Sequence, residues 1–265
     1  MDKKLSVVIP DYKDPLLFKT IQSLLDNSVL GDQLEINAVF DGCWNQSPLI
    51  EDPRVNYVHL GKNRGMRGAI NAGVAVSRGE FLMRTDEHCL FCPGYDKILI
   101  ESCHHDWIMT GVQYFLDADK WEVMDLPPVH TQKLVIQGGV KFAGQRWPER
   151  DEITKDKKTV QTMAMQGSQW VMPHAWWDKV IGELQTEGYG PLIQDSHEMV
   201  FKTWKAGGKL VLNRDMWFAH KHRSFARTHN NGTEENPANC DAGYKYALDV
   251  WGDYYEKEVR PRWKI

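Results

Sequence analysis

Four short apolar runs, each followed by turn residues, constrain most of what this chain can fold into. Leu5 to Ile9 is continuously apolar and stops at Pro10, Ile36 to Phe40 ends in Asp41-Gly42, and Val55 to Leu60 is the third. A fourth strand is predicted over Glu80 to Arg84, with Phe81 to Met83 at its centre. Continuous runs of this kind belong to strands covered on both faces. Between the first two, Asp14-Pro15 supplies an N-cap and first position for a helix whose buried face is Leu17, Ile21, Leu24 and Leu25, as far as Asn27. Gly65 to Ser77 reads as a second helix with Met66, Ala69, Ile70, Gly73 and Val76 inward. Strand and helix alternating over about a hundred residues predict a doubly wound, mostly parallel α/β sheet.

The fourth strand ends abruptly in Asp86-Glu87-His88. Ligands bind at the carboxyl ends of strands in open α/β sheets. In extended backbone Asp86 and His88 point the same way, offering one hard oxygen and one imidazole nitrogen to a divalent cation. An isolated Asp-x-His is also what a turn-capping Asp beside a solvated His looks like, so the rest of the chain has to decide.

Farther on, Pro93 to Ser102 is a predicted helix, and Trp107 to Leu116 a long strand or strand pair. Lys120 to Val160 reads as loops and hairpins, with Pro127-Pro128 and Gly138-Gly139 as breakers. Met163 to Met172 is a predicted strand and His174 to Leu184 a helix. Asp195-Ser196-His197-Glu198 fits a capping box opening a helix that runs to Ala206, with Gly207-Gly208 as its terminator. Lys209 to Asn213 and Met216 to Ala219 are predicted strands, the second ending at His220. Arg223 to Asn239 is polar and rich in turn formers, a candidate lid, and Ala242 to Tyr255 is a helix docking through Tyr244, Leu248, Trp251 and Tyr255.

Composition narrows the function. The net charge of −4 supplies no global attraction for nucleic acid, but Lys202 to His229 holds seven Lys/Arg against the single acid Asp215, which suits a phosphorylated ligand. Some of the eleven Trp fall outside periodic core patterns, among them Trp44, Trp121, Trp147 and Trp263, and are candidates to line grooves. Five cysteines without framework spacing fit reduced thiols. Cys89, Cys92 and Cys103 with His104 and His105 can be read as a zinc site, but no second paired motif accompanies them, and buried thiols fit better. No run of about 18 apolar residues appears and the chain enters a strand at once, so no membrane anchor or signal peptide is expected, the setting is expected to be cytoplasmic, and the sequons at Asn45 and Asn231 carry no meaning.

Several separate blocks resemble a known family. Ser6-Val7-Val8-Ile9-Pro10 with Tyr12, then Asp41, then Asn63-x-Gly65-x-x-x-Ala69-x-Asn71-x-Gly73, then Gly79-Glu80 leading into Asp86, look like the nucleotide-sugar half of the family 2 glycosyltransferases. Asp86-Glu87-His88-Cys89, Gly94-Tyr95, the run Glu198 to Leu210, and His220 with Arg223 are similar to the catalytic domain of the polypeptide N-acetylgalactosaminyltransferases. The resemblance implies a single GT-A domain over residues 1–265: a nucleotide-sugar-binding half (1–110) and an acceptor-side, metal-completing half (111–265) with an irregular insertion. It implies a UDP-sugar donor and Mn²⁺ or Mg²⁺ held by Asp86, His88 and His220, with His222 as a second candidate. It places Pro10, Tyr12, Asp41, Asn63, Arg64, Arg67, Asp86, Glu87 and Arg223 around the donor, Tyr12 on the base, Asp41 at the uracil N–H, and Arg64 and Arg67 at the diphosphate or ribose. Asp195 and Glu198 become the candidate catalytic carboxylates, Asp195 either as a base toward the acceptor hydroxyl or as a group holding the donor sugar.

The acceptor implied is a hydroxyl of a glycan, a protein or a hydroxylated nucleobase in DNA. A nucleotidyltransferase on a similar sheet would need a glycine-rich phosphate loop, which Pro10-Asp11-Tyr12-Lys13 is not. A silent sugar-nucleotide or glycan-binding module would tolerate loss of the metal ligands, yet all three are present. Nucleic-acid binding through Trp204 to His229 remains as a further class, though no recognised motif supports it.

Overall fold

The computed structural model describes residues 2–44, 48–222 and 238–265. Arg223, nearly all of the candidate lid, and both sequon asparagines lie outside the described residues. The apolar runs form the expected parallel core: β1 (Leu5–Asp11), β2 (Leu34–Asp41), β3 (Val55–Leu60) and β4 (Phe81–Thr85) are hydrogen-bonded in the order β3-β2-β1-β4. Pro10 does not stop β1; it sits buried within the strand, in register with Val39.

The crossovers are α1 (Leu17–Asn27) and α2 (Gly65–Ala75), on opposite faces. Leu17, Ile21 and Leu24 are fully buried beneath one face. On the other, α2 comes so close that a Cβ on Gly73 would lie 2.4 Å from Val8 Cγ1. Two expectations for α2 change: Val74 is buried where Val76 was expected, and Val76 is exposed beyond the last turn.

Beyond β4 come β5 (Cys89–Phe91), α3 (Tyr95–Ser102) and β6 (Trp107–Asp117), the last a single long strand. The 120–160 segment holds a short strand β7 (Glu122–Val123), a separate hairpin of β8 (Gln132–Gln137) and β9 (Lys141–Arg146), helix α4 (Pro148–Ile153), and β10 (Thr159–Gln161), which returns to the main sheet. Gly138 and Gly139 make the hairpin turn with φ of 60° and 74°, a backbone open to glycine at no steric cost.

β11 (Gln169–Pro173) is shorter than expected, because Met163 to Met165 are buried but run toward the hairpin, outside the ladder. It lies antiparallel between β4 and β6. A short helix α5 (His174–Trp176) and a wider turn over Trp177–Ile181 follow, then α6 (Asp195–Lys205) and β12 (Lys209–His220). The two strands predicted at 209–219 are one, bulged between Asn213 and Trp217. Helix α7 (Cys240–Tyr254), a wide turn over Tyr255–Val259, and α8 (Arg260–Trp263) close the chain against the α2 face. Its buried line is Cys240, Gly243, Ala247, Trp251 and Tyr255, with Tyr244 and Leu248 only half-buried. Cys89 and Cys92 pack in the core around Phe91.

Candidate active site

The loop after β4 is pinned from two directions. The Asp86 N–H donates to Ser168 O (3.0 Å), while Thr20 Oγ1 on α1 donates to Glu87 O (2.9 Å) and accepts from the Cys89 N–H (2.9 Å). β5 then turns back along β12, with His220 opposite Cys89 and the Lys221 N–H on His88 O (3.1 Å). That pairing carries the His220 ring to His88, although 132 positions separate them.

The three nominated ligands converge. His88 Nε2 lies 3.1 Å from His220 Nε2, which lies 3.0 Å from Asp86 Oδ2, and Asp86 Oδ2 is 4.0 Å from His88 Nε2. His88 Nδ1 is 3.1 Å from Asp14 Oδ2, and a carboxylate can only accept, so the proton of a neutral His88 sits on Nδ1 and its Nε2 carries a lone pair. Two lone-pair atoms, His88 Nε2 and Asp86 Oδ2, therefore face one His220 nitrogen. This is a donor set complementary to a cation. One hard oxygen and two imidazoles fit Mn²⁺ better than Mg²⁺, which prefers oxygen.

Charge around the set is steep. Burial works against ionised Asp86, but buried Arg84 beside its Oδ1, the His220 hydrogen bond and the histidine charges hold it well below the usual carboxylate range. Burial also opposes protonated His88, yet the Asp14 hydrogen bond and the charges of Glu87, Asp86 and Asp14 raise its pKa. Asp11, at the end of β1, is pushed up to about 7 by burial and by Glu87 and Asp14. Asp14, Glu87 and His88 form a second convergent set sharing His88. His222 lies outside both sets, with Nε2 3.1 Å from Gln113 Nε2.

The donor-side candidates divide. Tyr12 is half-buried just past β1. Asp41 is almost fully buried; it accepts from Asn63 Nδ2 (3.0 Å) and from the Arg64 N–H (2.7 Å), so the carboxylate shapes the β3–α2 turn and leaves the Arg64 side chain outward. Gly42 permits this closure, since a Cβ there would meet Asn63 N at 2.2 Å.

Two candidates are engaged inside the fold. Arg67 is 0% exposed; it ion-pairs with Glu198, donates to Gln185 O (2.9 Å) and Ile193 O (2.9 and 2.6 Å), and lies over Tyr189. Glu198 pairs with Arg67 and with Lys202 (2.8 Å), and so joins α2 to α6. The capping box also fails. Gln194, in the left-handed region at φ 61°, precedes the helix, Asp195 is its first residue, and no side chain caps it.

Asp195 is thereby left for other work. It is 6% exposed, its Oδ2 has no hydrogen-bond partner, and it lies near Gly167. Burial raises its pKa, with Arg84 and Arg67 opposing and Asp86 adding to the rise. Asp11, Asp14 and Arg84 were not singled out as site residues from the sequence; an Asp-Pro at a helix start and an Arg inside an apolar strand were the available signals.

A sheet with this strand order, and a convergent Asp-x-His and His set at its carboxyl edge, is the GT-A fold. Residues 6–126 match the family model of glycosyl transferase family 2. A solved structure described as GalNAc-T7 with UDP, GalNAc and Mn²⁺ superposes with a TM-score of 0.74 at 16% identity, covering 97% of this chain and 50% of that one. The chain thus spans about half the length of that neighbour. No curated protein matches the sequence significantly. Among the described residues no helix is long and apolar enough to cross a membrane.

Proposed function

We propose that this protein is a glycosyltransferase that moves a hexosyl or pentosyl group from a UDP-sugar to an acceptor hydroxyl, with Asp86, His88 and His220 holding a divalent cation, Mn²⁺ in preference to Mg²⁺. The observation that carries the reading is the convergence of those three donors at the carboxyl edge of a GT-A sheet. The bound cation would neutralise the charge that builds on the departing diphosphate.

The chain's own groups do the rest. Tyr12 stacks on the base from the end of β1, and Pro10 and Glu87 border the same edge of the sheet. Asp41, held by Asn63, accepts from the uracil N–H, and Arg64 and Arg223 meet the diphosphate or ribose. Asp195 has the properties of a proton acceptor for the incoming hydroxyl: a buried carboxyl with raised pKa and a partnerless oxygen. The same oxygen can instead hold a donor-sugar hydroxyl, and the anomeric outcome distinguishes the two roles. The acceptor is a hydroxyl of a glycan, a protein or a hydroxylated nucleobase in DNA, chosen by the 120–160 segment.

Calorimetric titration of UDP with and without Mn²⁺, on the wild type and on His220→Ala, tests the reading. Metal-dependent binding that the substitution abolishes supports it, and failure of the wild type to bind any nucleoside diphosphate overturns it.

A further inference from the structure

We propose that Asp14 is a positioning residue of the cation centre: its carboxylate fixes the His88 ring as the Nδ1–H tautomer and so aims the Nε2 lone pair at the ion. The inference rests on the cation reading of Asp86, His88 and His220. Asp14 is itself oriented. Its Oδ1 accepts from the Leu16 N–H (2.9 Å) and its own N–H donates to Asp11 Oδ1 (3.2 Å), which turns Oδ2 to His88 Nδ1 at 3.1 Å. Glu87 Oε2, at 3.9 Å from the same nitrogen, is beyond hydrogen-bond range, so Asp14 is the carboxylate that binds the ring.

Side-chain exposures of 4% for His88 and 11% for Asp14 leave little water to substitute for that bond. The opposite tautomer would set an Nδ1 lone pair against a carboxylate and point an N–H at His220 Nε2 and Asp86 Oδ2. A carboxylate behind a ligating imidazole fixes the ring and raises its basicity, and losing such a partner typically costs a metal site roughly ten- to a hundredfold in affinity. The first βα turn, a donor-side element, thereby also sets the metal ligand 74 positions away.

The test uses ¹⁵N-histidine NMR of the metal-free protein together with Mn²⁺ titration followed by electron paramagnetic resonance. Wild type is expected to show His88 protonated at Nδ1. Asp14→Asn is expected to lower Mn²⁺ affinity roughly ten- to a hundredfold, with Asp14→Glu recovering part of it and Asp26→Asn, an exposed acid on α1, leaving it unchanged. Neutral His88 protonated at Nε2 and not at Nδ1 in the wild type, or affinity of Asp14→Asn within about twofold of wild type, overturns the role of Asp14 while the cation site stands. Failure of the wild type to bind Mn²⁺, with Nδ1 protonated, overturns the cation reading and this inference with it. The wild-type tautomer decides the case even if Asp14→Asn does not fold.

Discussion

Two buried charged clusters tie distant parts of this chain together, and they differ in one respect. In the Arg67–Glu198–Lys202 cluster the strong donors and acceptors are matched: the guanidinium reaches two carbonyls and a carboxylate, and Lys202 adds Ile181 O (2.9 Å) and Glu183 O (3.0 Å). In the Asp86–His88–His220 cluster, the lone pairs of His88 Nε2 and Asp86 Oδ2 converge on one His220 nitrogen, while the His88 Nδ1 proton points outward to Asp14 and Arg84 donates to Asp86 Oδ1 from the far side. The first arrangement is matched within itself, and in the second two acceptors share one imidazole nitrogen. Buried charge alone therefore marks architecture as readily as function; the discriminating sign is unmatched donors and acceptors facing a common point.

The largest effect should come from breaking the matched cluster. Glu198→Ala leaves Arg67 charged and buried without its partner, and urea denaturation should show a loss of about 3–5 kcal/mol, with Mn²⁺ affinity of the folded fraction little changed. A comparable loss of metal affinity would blur the contrast.

The acids beside the second cluster should instead reveal themselves through pH. Asp11 has a folded pKa of about 7, so between its unfolded value near 3.9 and 7 the folded state binds more protons than the unfolded state. Its contribution is present below that window and is lost as pH rises through it, by up to roughly 4 kcal/mol at about 1.4 kcal/mol per pH unit. Denaturation of the metal-free protein at pH 5 and pH 8 should show the decline, and Asp11→Asn should flatten it. An unchanged slope in that variant would mean that Asp11 is ionised throughout.

Next in size, His220→Ala should weaken Mn²⁺ binding about a hundredfold or more while changing folding stability by less than ~1 kcal/mol. Stability falling as far as in Glu198→Ala would make His220 structural. Lys202→Met should have the smallest effect, about 1 kcal/mol or less, because its side chain is 25% exposed and Arg67 still holds Glu198. A larger loss would show that the matched cluster depends on its rim.

How much of this was legible in the sequence follows the range of the interactions. Local signals held: the apolar runs became β1 to β4, and Gly207, with φ of 87°, ends α6 as read. The sheet edge and the Asp-x-His position also held, since both follow from where an apolar run stops. What failed was set at long range. The resemblance placed Arg67 at the diphosphate or ribose, and its buried partner Glu198 lies 131 positions on, out of reach of any local pattern. Asp195 and Glu198 had capping-box spacing, but Arg67 and Lys202 claim Glu198 first. The polar Arg214-Asp215 pair read as a strand break, whereas the ladder passes them as a bulge. Asp14 was visible only as a helix start, and its partner was beyond any periodicity.

The antiparallel strand β11 has a consequence for the order in which the protein comes into being. Because β11 and then β6 stand between β4 and β12 in the sheet, His220 reaches Asp86 only after the intervening segment has been laid down. A nascent chain that has emerged through β6 contains Asp14, Asp86 and His88, but lacks the nitrogen supplied by β12. On the proposed cation reading, the ion would gain its third protein ligand only once the polypeptide has returned across its own sheet, and tight capture of the ion would report that the sheet has been completed.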